Sequence, residues 1–240
     1  MAPTEHIVSG FDRDLEGIQA KIMRMGGLVE DAIAKSAQAF EARDPELARE
    51  VRNGDVAIDA LDDQINEEAA RIIAQRQPIA SDLRTVLSVF RISNNLERIG
   101  DYAKNIAKRS EAIMDQPPVT GTGASLRRMA RQVELMLKDV LDAYIQHDAD
   151  KAMDVRERDL EVDQMYSALF REYLTFMMED PRNITTCMHL HFMAKNIERM
   201  GDHATSIAEQ VIYMVTGDAP DEERPKHTTV PAPDGAPPRS

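Results

Sequence analysis

From residue 5 to residue 216 apolar side chains recur at intervals of three and four, the period of amphipathic α-helices, and Gly or Pro rarely interrupts them. The first helix is expected at about residues 5–43, weakened only at Gly26-Gly27. Asp44-Pro45 reads as an N-cap followed by proline at the first helical position, so a second helix starts there and runs to about Gln75. Pro78 marks the next turn, and Ser81 or Asp82 is placed to cap a third helix that ends near Met114.

Gln116-Pro117-Pro118-Val119-Thr120-Gly121-Thr122 is punctuated as a linker, after which the helical pattern starts again. A fourth helix is expected at about 124–147 and a fifth at about 149–178. A sixth follows Asp180-Pro181 and lasts to about Thr216. The fold class is therefore all-α: six long helices arranged as two tandem repeats of a three-helix bundle. Residues 1–116 make the first bundle, 117–123 the linker and 124–217 the second bundle. Residues 218–240, with six prolines and almost no large apolar side chains, form a tail that cannot offset the entropy of ordering itself and is expected to be disordered.

Duplication is legible residue by residue. Asn95-Leu96-Glu97-Arg98-Ile99-Gly100-Asp101 returns 101 positions later as Asn196-Ile197-Glu198-Arg199-Met200-Gly201-Asp202. Earlier in each half the offset is 104, which pairs Glu30 with Glu134, Asp44 with Asp148, Asp55 with Asp159 and Asp59 with Asp163. A change of three residues ahead of the third helix reconciles the two offsets.

Two stripes run along that third helix. Ile92, Leu96, Ile99, Ala103 and Ile106, spaced 4, 3, 4 and 3, are a bundle seam, as are Met193, Ile197, Met200, Ala204, Ile207 and Val211 in the second unit. The other stripe is Glu97, Asp101 and Asn105, matched by Glu198, Asp202 and Ser206. At four-residue spacing it drifts slowly round the helix and stays away from the seam. One reading is a solvated polar face, assisted by Arg98 and Lys104 three residues either side of Asp101 and by Arg199 before Asp202. The other is metal binding. Acids four residues apart repel by roughly 0.2–0.5 kcal/mol, a cost that a solvated face has no reason to place twice at matched positions. Counting 1.5 Å per residue from the turns puts Asp59 within roughly 6 Å of the height of Asp101, and Glu30 level with Asp59. Acids from three helices would then meet at one level, an oxygen-only set suited to Mg²⁺, Mn²⁺ or iron.

Composition narrows the classes. Aromatics are 5% of the chain, Trp is absent and there are 14 Met, which is a helix-bundle composition. The net charge of -13, most of it outside the tail, argues against a nucleic-acid surface. Residues 1–11 lack the basic start and apolar run of a signal peptide, and no 18-residue apolar run suggests a membrane span. The chain is thus expected to be cytoplasmic and to meet a membrane only through partners. Cys187, the single cysteine, falls in a helical pattern and reads as a small buried residue.

Enzyme readings find little support. There is no Glu-x-x-His pair for a di-iron core, and His189 and His191 lie about 200° apart on a helix, so they cannot chelate together. His203 has Tyr102 at its matched position, which argues against a ligand that both units need. Neither Met25-Gly26-Gly27 nor Thr120-Gly121-Thr122-Gly123 has the spacing or the Lys of a nucleotide cradle. No Gly-x-Ser-x-Gly elbow occurs. A binding protein with no catalytic residues is the expectation.

The chain resembles the PhoU family, accessory regulators of the bacterial high-affinity phosphate transporter. The resemblance rests on Met23-Arg24-Met25-Gly26-Gly27-Leu28-Val29-Glu30, on Arg71-Ile72-Ile73-Ala74-Gln75-Arg76-Gln77-Pro78 with Ser81-Asp82-Leu83-Arg84, and on Leu96-Glu97-Arg98-Ile99-Gly100-Asp101. In the second half it rests on Met177-Met178-Glu179-Asp180-Pro181-Arg182 and Ile197-Glu198-Arg199-Met200-Gly201-Asp202. It implies two three-helix bundles side by side, a homodimer, and in some members metal ions on the acidic motifs. Carried over by position, the metal ligands would be Glu97, Asp101 and Asn105 in one set and Glu198 and Asp202 in the other, where Ser206 departs from the family's Asn. The implied partners are the ATPase subunit of the phosphate ABC transporter and the phosphate-sensing histidine kinase. The implied function is negative regulation of phosphate uptake and of the phosphate-starvation response. A carboxylate-rich metal-storage protein and an accessory of a low-affinity phosphate carrier are the alternatives.

Overall fold

The computed structural model describes residues 3–119 and 121–220. These form six helices and one short 3₁₀ turn: α1 (Pro3–Ala42), α2 (Pro45–Arg76), α3 (Ala80–Ala112), α4 (Thr122–Gln146), α5 (Ala149–Glu179), the turn Pro181–Asn183, and α6 (Ile184–Thr216). Among the described residues there is no strand, as the uniform helical period requires. All but the first three residues of the expected tail lie outside the described residues.

Local chemistry sets the helix ends. Asp44 Oδ1 accepts hydrogen bonds from the Glu46 and Leu47 amides at 3.0 and 3.1 Å, satisfying two of the free N–H groups at the start of α2. Asp148, its repeat mate, accepts from Lys151 N at 2.9 Å to open α5. At α3 the sequence misleads. The helix begins at Ala80, so the capping position falls at Ile79, two residues before Ser81 and three before Asp82, both of which lie inside the first turn, and Ile79 makes no side-chain hydrogen bond. Asp82 there is an acid in the first turn, favourable to the helix dipole.

In each unit all three helices touch one another: α1, α2 and α3 in the first, α4, α5 and α6 in the second. Between the units α1 packs on α4 and α3 on α6, while α2 and α5 contact only their own bundle. Four helices therefore make the centre and one flanks each side. Both central pairs are antiparallel. On α1 and α4, Glu41 meets Arg127 at 2.6 Å while Gly26 lies against Leu141. On α3 and α6, Asn95 Oδ1 meets His203 Nδ1 at 2.7 Å and Arg109 lies over the Phe192 ring at 4.4 Å. Tyr102 and His203, matched positions in the repeat, face each other with ring centroids 5.6 Å apart. Their difference in identity thus belongs to the contact between halves.

Every residue of the two seams is buried. At roughly 1.5–3 kcal/mol for each large side chain removed from water, these stripes are the main source of bundle stability. Cys187 is fully buried among them, as its sequence pattern suggests. Helix α1 runs unbroken through Gly26 and Gly27. Gly26 is buried at the contact with α4, where an added Cβ would overlap Leu141 Cδ1, whereas Gly27 faces open space. Arg43, just beyond α1, fastens the connection between the units by donating to the Met114 and Gln116 carbonyls, the second at 2.8 Å.

Candidate carboxylate sites

The glycine within the repeated motif controls what the acidic stripe of α3 faces. A Cβ on Gly100 would stand 3.0 Å from Ile58 Cδ1 and 3.6 Å from Asp55 Oδ1. Its absence lets α2 close against α3 and brings the Asp55 carboxylate inside, 5% exposed. Lys104, one turn beyond Gly100, answers that buried charge. Its ammonium donates to Asp55 Oδ2 and to Asp101 Oδ1, the latter at 2.6 Å. Burial alone would lower the ammonium's pKa, but the hydrogen bonds to Asp101 and Asp55 outweigh it and raise it above the ordinary lysine value.

Asp101 therefore sits between a cation and an acid. Glu97, one turn before it, has its pKa pushed up to about 7, first by burial and then by the Asp101 charge, with Arg98 opposing. Arg98 is itself more than half exposed and reaches Glu97 and Asp101 only at 3.5 and 3.9 Å. Asp59 is raised too, by burial first and then by Asp55, again against the pull of Lys104. Asn105 is exposed, at the solvent end of the stripe.

The second unit repeats the scaffold with different charges. A Cβ on Gly201 would lie 3.2 Å from Asp159 Oδ1 and 3.4 Å from Val162 Cγ1, the counterparts of Asp55 and Ile58. Asp159 is 8% exposed. The place of Lys104 is taken by Thr205, whose hydroxyl donates to the Gly201 carbonyl at 3.0 Å. A cation reaches the stripe from the other direction, Lys195 Nζ meeting Glu198 Oε1 at 2.6 Å. Burial raises the Glu198 pKa, and that is the largest effect, although Lys195 opposes it. Ser206 donates to the Asp202 backbone carbonyl at 2.9 Å.

Helix heights correctly bring Asp59 to Asp101 and Glu97, and Asp163 to Glu198. They do not place Glu30. It lies instead beside Glu134, Lys138 and Asp142 of α4, because α1 turns that face to the other unit. Glu134 pairs with Arg131 at 2.6 Å. Asp55 was visible in the sequence only as a repeat-matched acid. The signal that could have found its role is the glycine of Ile-Gly-Asp, which leaves room for one side chain from the facing helix. Among the described residues no three carboxylate, histidine or cysteine side chains are gathered in a way that would hold a metal ion. His191 packs on Tyr166, Phe170 and Phe192, and burial lowers the pKa of both His189 and His191.

A two-fold internal repeat is also what comparison with known proteins finds. The PhoU domain family model matches the chain twice, over residues 22–110 and 126–211. The phosphate-specific transport system accessory protein PhoU homolog of Rhizobium meliloti (strain 1021) is 48% identical over 221 residues, which cover 92% of this chain and 93% of that protein. The protein of the same description from Caulobacter vibrioides (strain NA1000 / CB15N) is 46% identical over 223 residues, covering 93% and 97%. The crystal structure of PhoU from Pseudomonas aeruginosa superposes with a TM-score of 0.84 at 39% identity, covering 87% of this chain and all of the other. The phosphate transport system regulatory protein PhoU from Streptococcus pneumoniae gives 0.81 at 30% identity, covering 88% and 100%.

Proposed function

Because the chain belongs to the PhoU family, we propose that it is a non-catalytic accessory protein of a phosphate-specific transport system, which restrains phosphate uptake and the phosphate-starvation response when phosphate is plentiful. The observation that carries this reading is the double family match, joined to 46–48% identity along nearly the whole of relatives named for that system. Similarity is not confined to one bundle, since the family model matches both halves and the relatives align along nearly the whole chain. The partners proposed are the ATPase subunit of the phosphate ABC transporter and the phosphate-sensing histidine kinase, met at the cytoplasmic side of the membrane by a homodimer. None of the helices among the described residues is long and apolar enough to cross a membrane, which is compatible with contact through such partners.

Deleting the gene in its native bacterium tests the regulatory claim. Alkaline phosphatase expression in high phosphate is expected to rise, and unchanged expression would refute it. Affinity capture from membranes tests the partner. Recovery of the ABC transporter ATPase supports the proposal, whereas recovery of a low-affinity carrier without it would reassign the protein to that carrier.

A further inference from the structure

The geometry points to Lys104 as a built-in counter-ion that holds the cation position of the first unit's carboxylates and keeps divalent metal out of it. This inference concerns ion selectivity in one half of the molecule and stands independently of the proposed role in phosphate regulation.

Three observations carry it. The Lys104 ammonium lies between Asp55 on α2 and Asp101 on α3, hydrogen-bonded to both, which is where a metal bridging the two helices would have to sit. Asp55 is 5% exposed, so water cannot screen its charge and a cation must accompany it. Its second oxygen, Oδ1, is buried and has no hydrogen-bond partner, so the carboxylate has spare coordinating capacity that the lysine does not use. The lysine is not part of the repeated scaffold. The same glycine and the same buried acid recur in the second unit as Gly201 and Asp159, but the position of Lys104 is Thr205, which turns its hydroxyl to the backbone.

A tethered ammonium is a strong competitor for such a place. It is always present at high effective concentration, and a hard divalent ion would have to expel it while losing part of its own hydration. The metal expected from the stripe of Glu97, Asp101 and Asn105 therefore meets an occupied position at Asp101, and Asn105 is exposed.

The test is Mn²⁺ binding to the chelator-treated full-length protein, followed by electron paramagnetic resonance of the free ion. In the otherwise native chain, Asp101→Asn is expected to leave the number of bound ions unchanged. Lys104→Thr, which copies the second unit, is expected to gain about one Mn²⁺ per chain, a gain lost again in Lys104→Thr/Asp101→Asn. Lys104→Met keeps the aliphatic stem between α2 and α3 without the charge and should gain the same ion, so a folding defect in the threonine variant does not hide the result. Loss of an ion on Asp101→Asn in the native chain would overturn the inference, because it would show metal bound beside the lysine. So would a folded Lys104→Thr or Lys104→Met chain that gains no ion. If neither variant folds, the Asp101→Asn comparison decides alone.

Discussion

Gly26 and Gly27 are neighbours in the sequence with opposite surroundings, and replacing each by alanine measures how closely the two bundles are pressed together. A Cβ on Gly26 would overlap Leu141 Cδ1 and come within 3.5 Å of its Cγ and Cδ2. Carbon contacts settle near 3.5–4.0 Å, so Leu141 would have to retreat, and at 1% exposure it must do so within the core and not into solvent. Overpacking of this kind costs about 1–3 kcal/mol. Removing a helix-interior glycine returns about 0.5–1 kcal/mol, leaving Gly26→Ala destabilised by up to roughly 2.5 kcal/mol. At Gly27 nothing lies within 4 Å, so only the propensity gain remains and Gly27→Ala should be stabilised by about 0.5–1 kcal/mol. Urea denaturation followed by far-ultraviolet circular dichroism reads both, with unchanged m-values as the check that only stability has moved. Leu141→Ala should also cost less on the Gly26→Ala background than alone, a coupling of about 0.5 kcal/mol or more. Equal stability of the two alanine variants, or no coupling to Leu141, would refute the close approach of α1 and α4.

Asp44→Ala removes the acceptor for two amides at the start of α2 and should cost about 0.5–2 kcal/mol in urea, with Asp44→Ser restoring most of it. Glu97 has a folded-state pKa of about 7 against an ordinary 4.5, so the fold favours its protonated form. Its contribution is present below pH 4.5 and lost as pH rises through 7, for an upper bound near ~3 kcal/mol that partial exposure and coupling to Asp101 reduce to about 1–2 kcal/mol. Glu97→Gln should therefore be the more stable protein at pH 8, and the gap to the parent should close as pH falls below 5. An equal gap at both pH values would contradict this. Cys187 is fully buried and burial raises its thiol pKa, so labelling by an aromatic disulfide reagent should be negligible in buffer and rapid in denaturant.

Much of this molecule is written locally. Periodicity gave six helices because a bundle helix must bury one stripe, and the seam positions such as Ile99 and Met200 are inside for that reason alone. Asp44 and Asp148 announce helix starts through a bond to amides two or three residues away, which needs no tertiary knowledge. The cap of α3 failed because Ser81 and Asp82 carry the right chemistry two and three positions too late. The repeat likewise shows in the residues themselves, and so does the acidic stripe.

Which acids meet which partners was decided only in three dimensions. Helix height, computed along one bundle, could bring Asp59 to Asp101, since both lie a known number of residues from the same turn. It could not know which way α1 faces, and Glu30 went to α4 because the two bundles pack on each other through that side. Nor could it know that Lys104, locally a partner for Asp101, would also reach across to Asp55. A side chain's neighbours within a helix follow from spacing, whereas its neighbours on another helix depend on the rotation and approach of both, which the packing of whole faces sets.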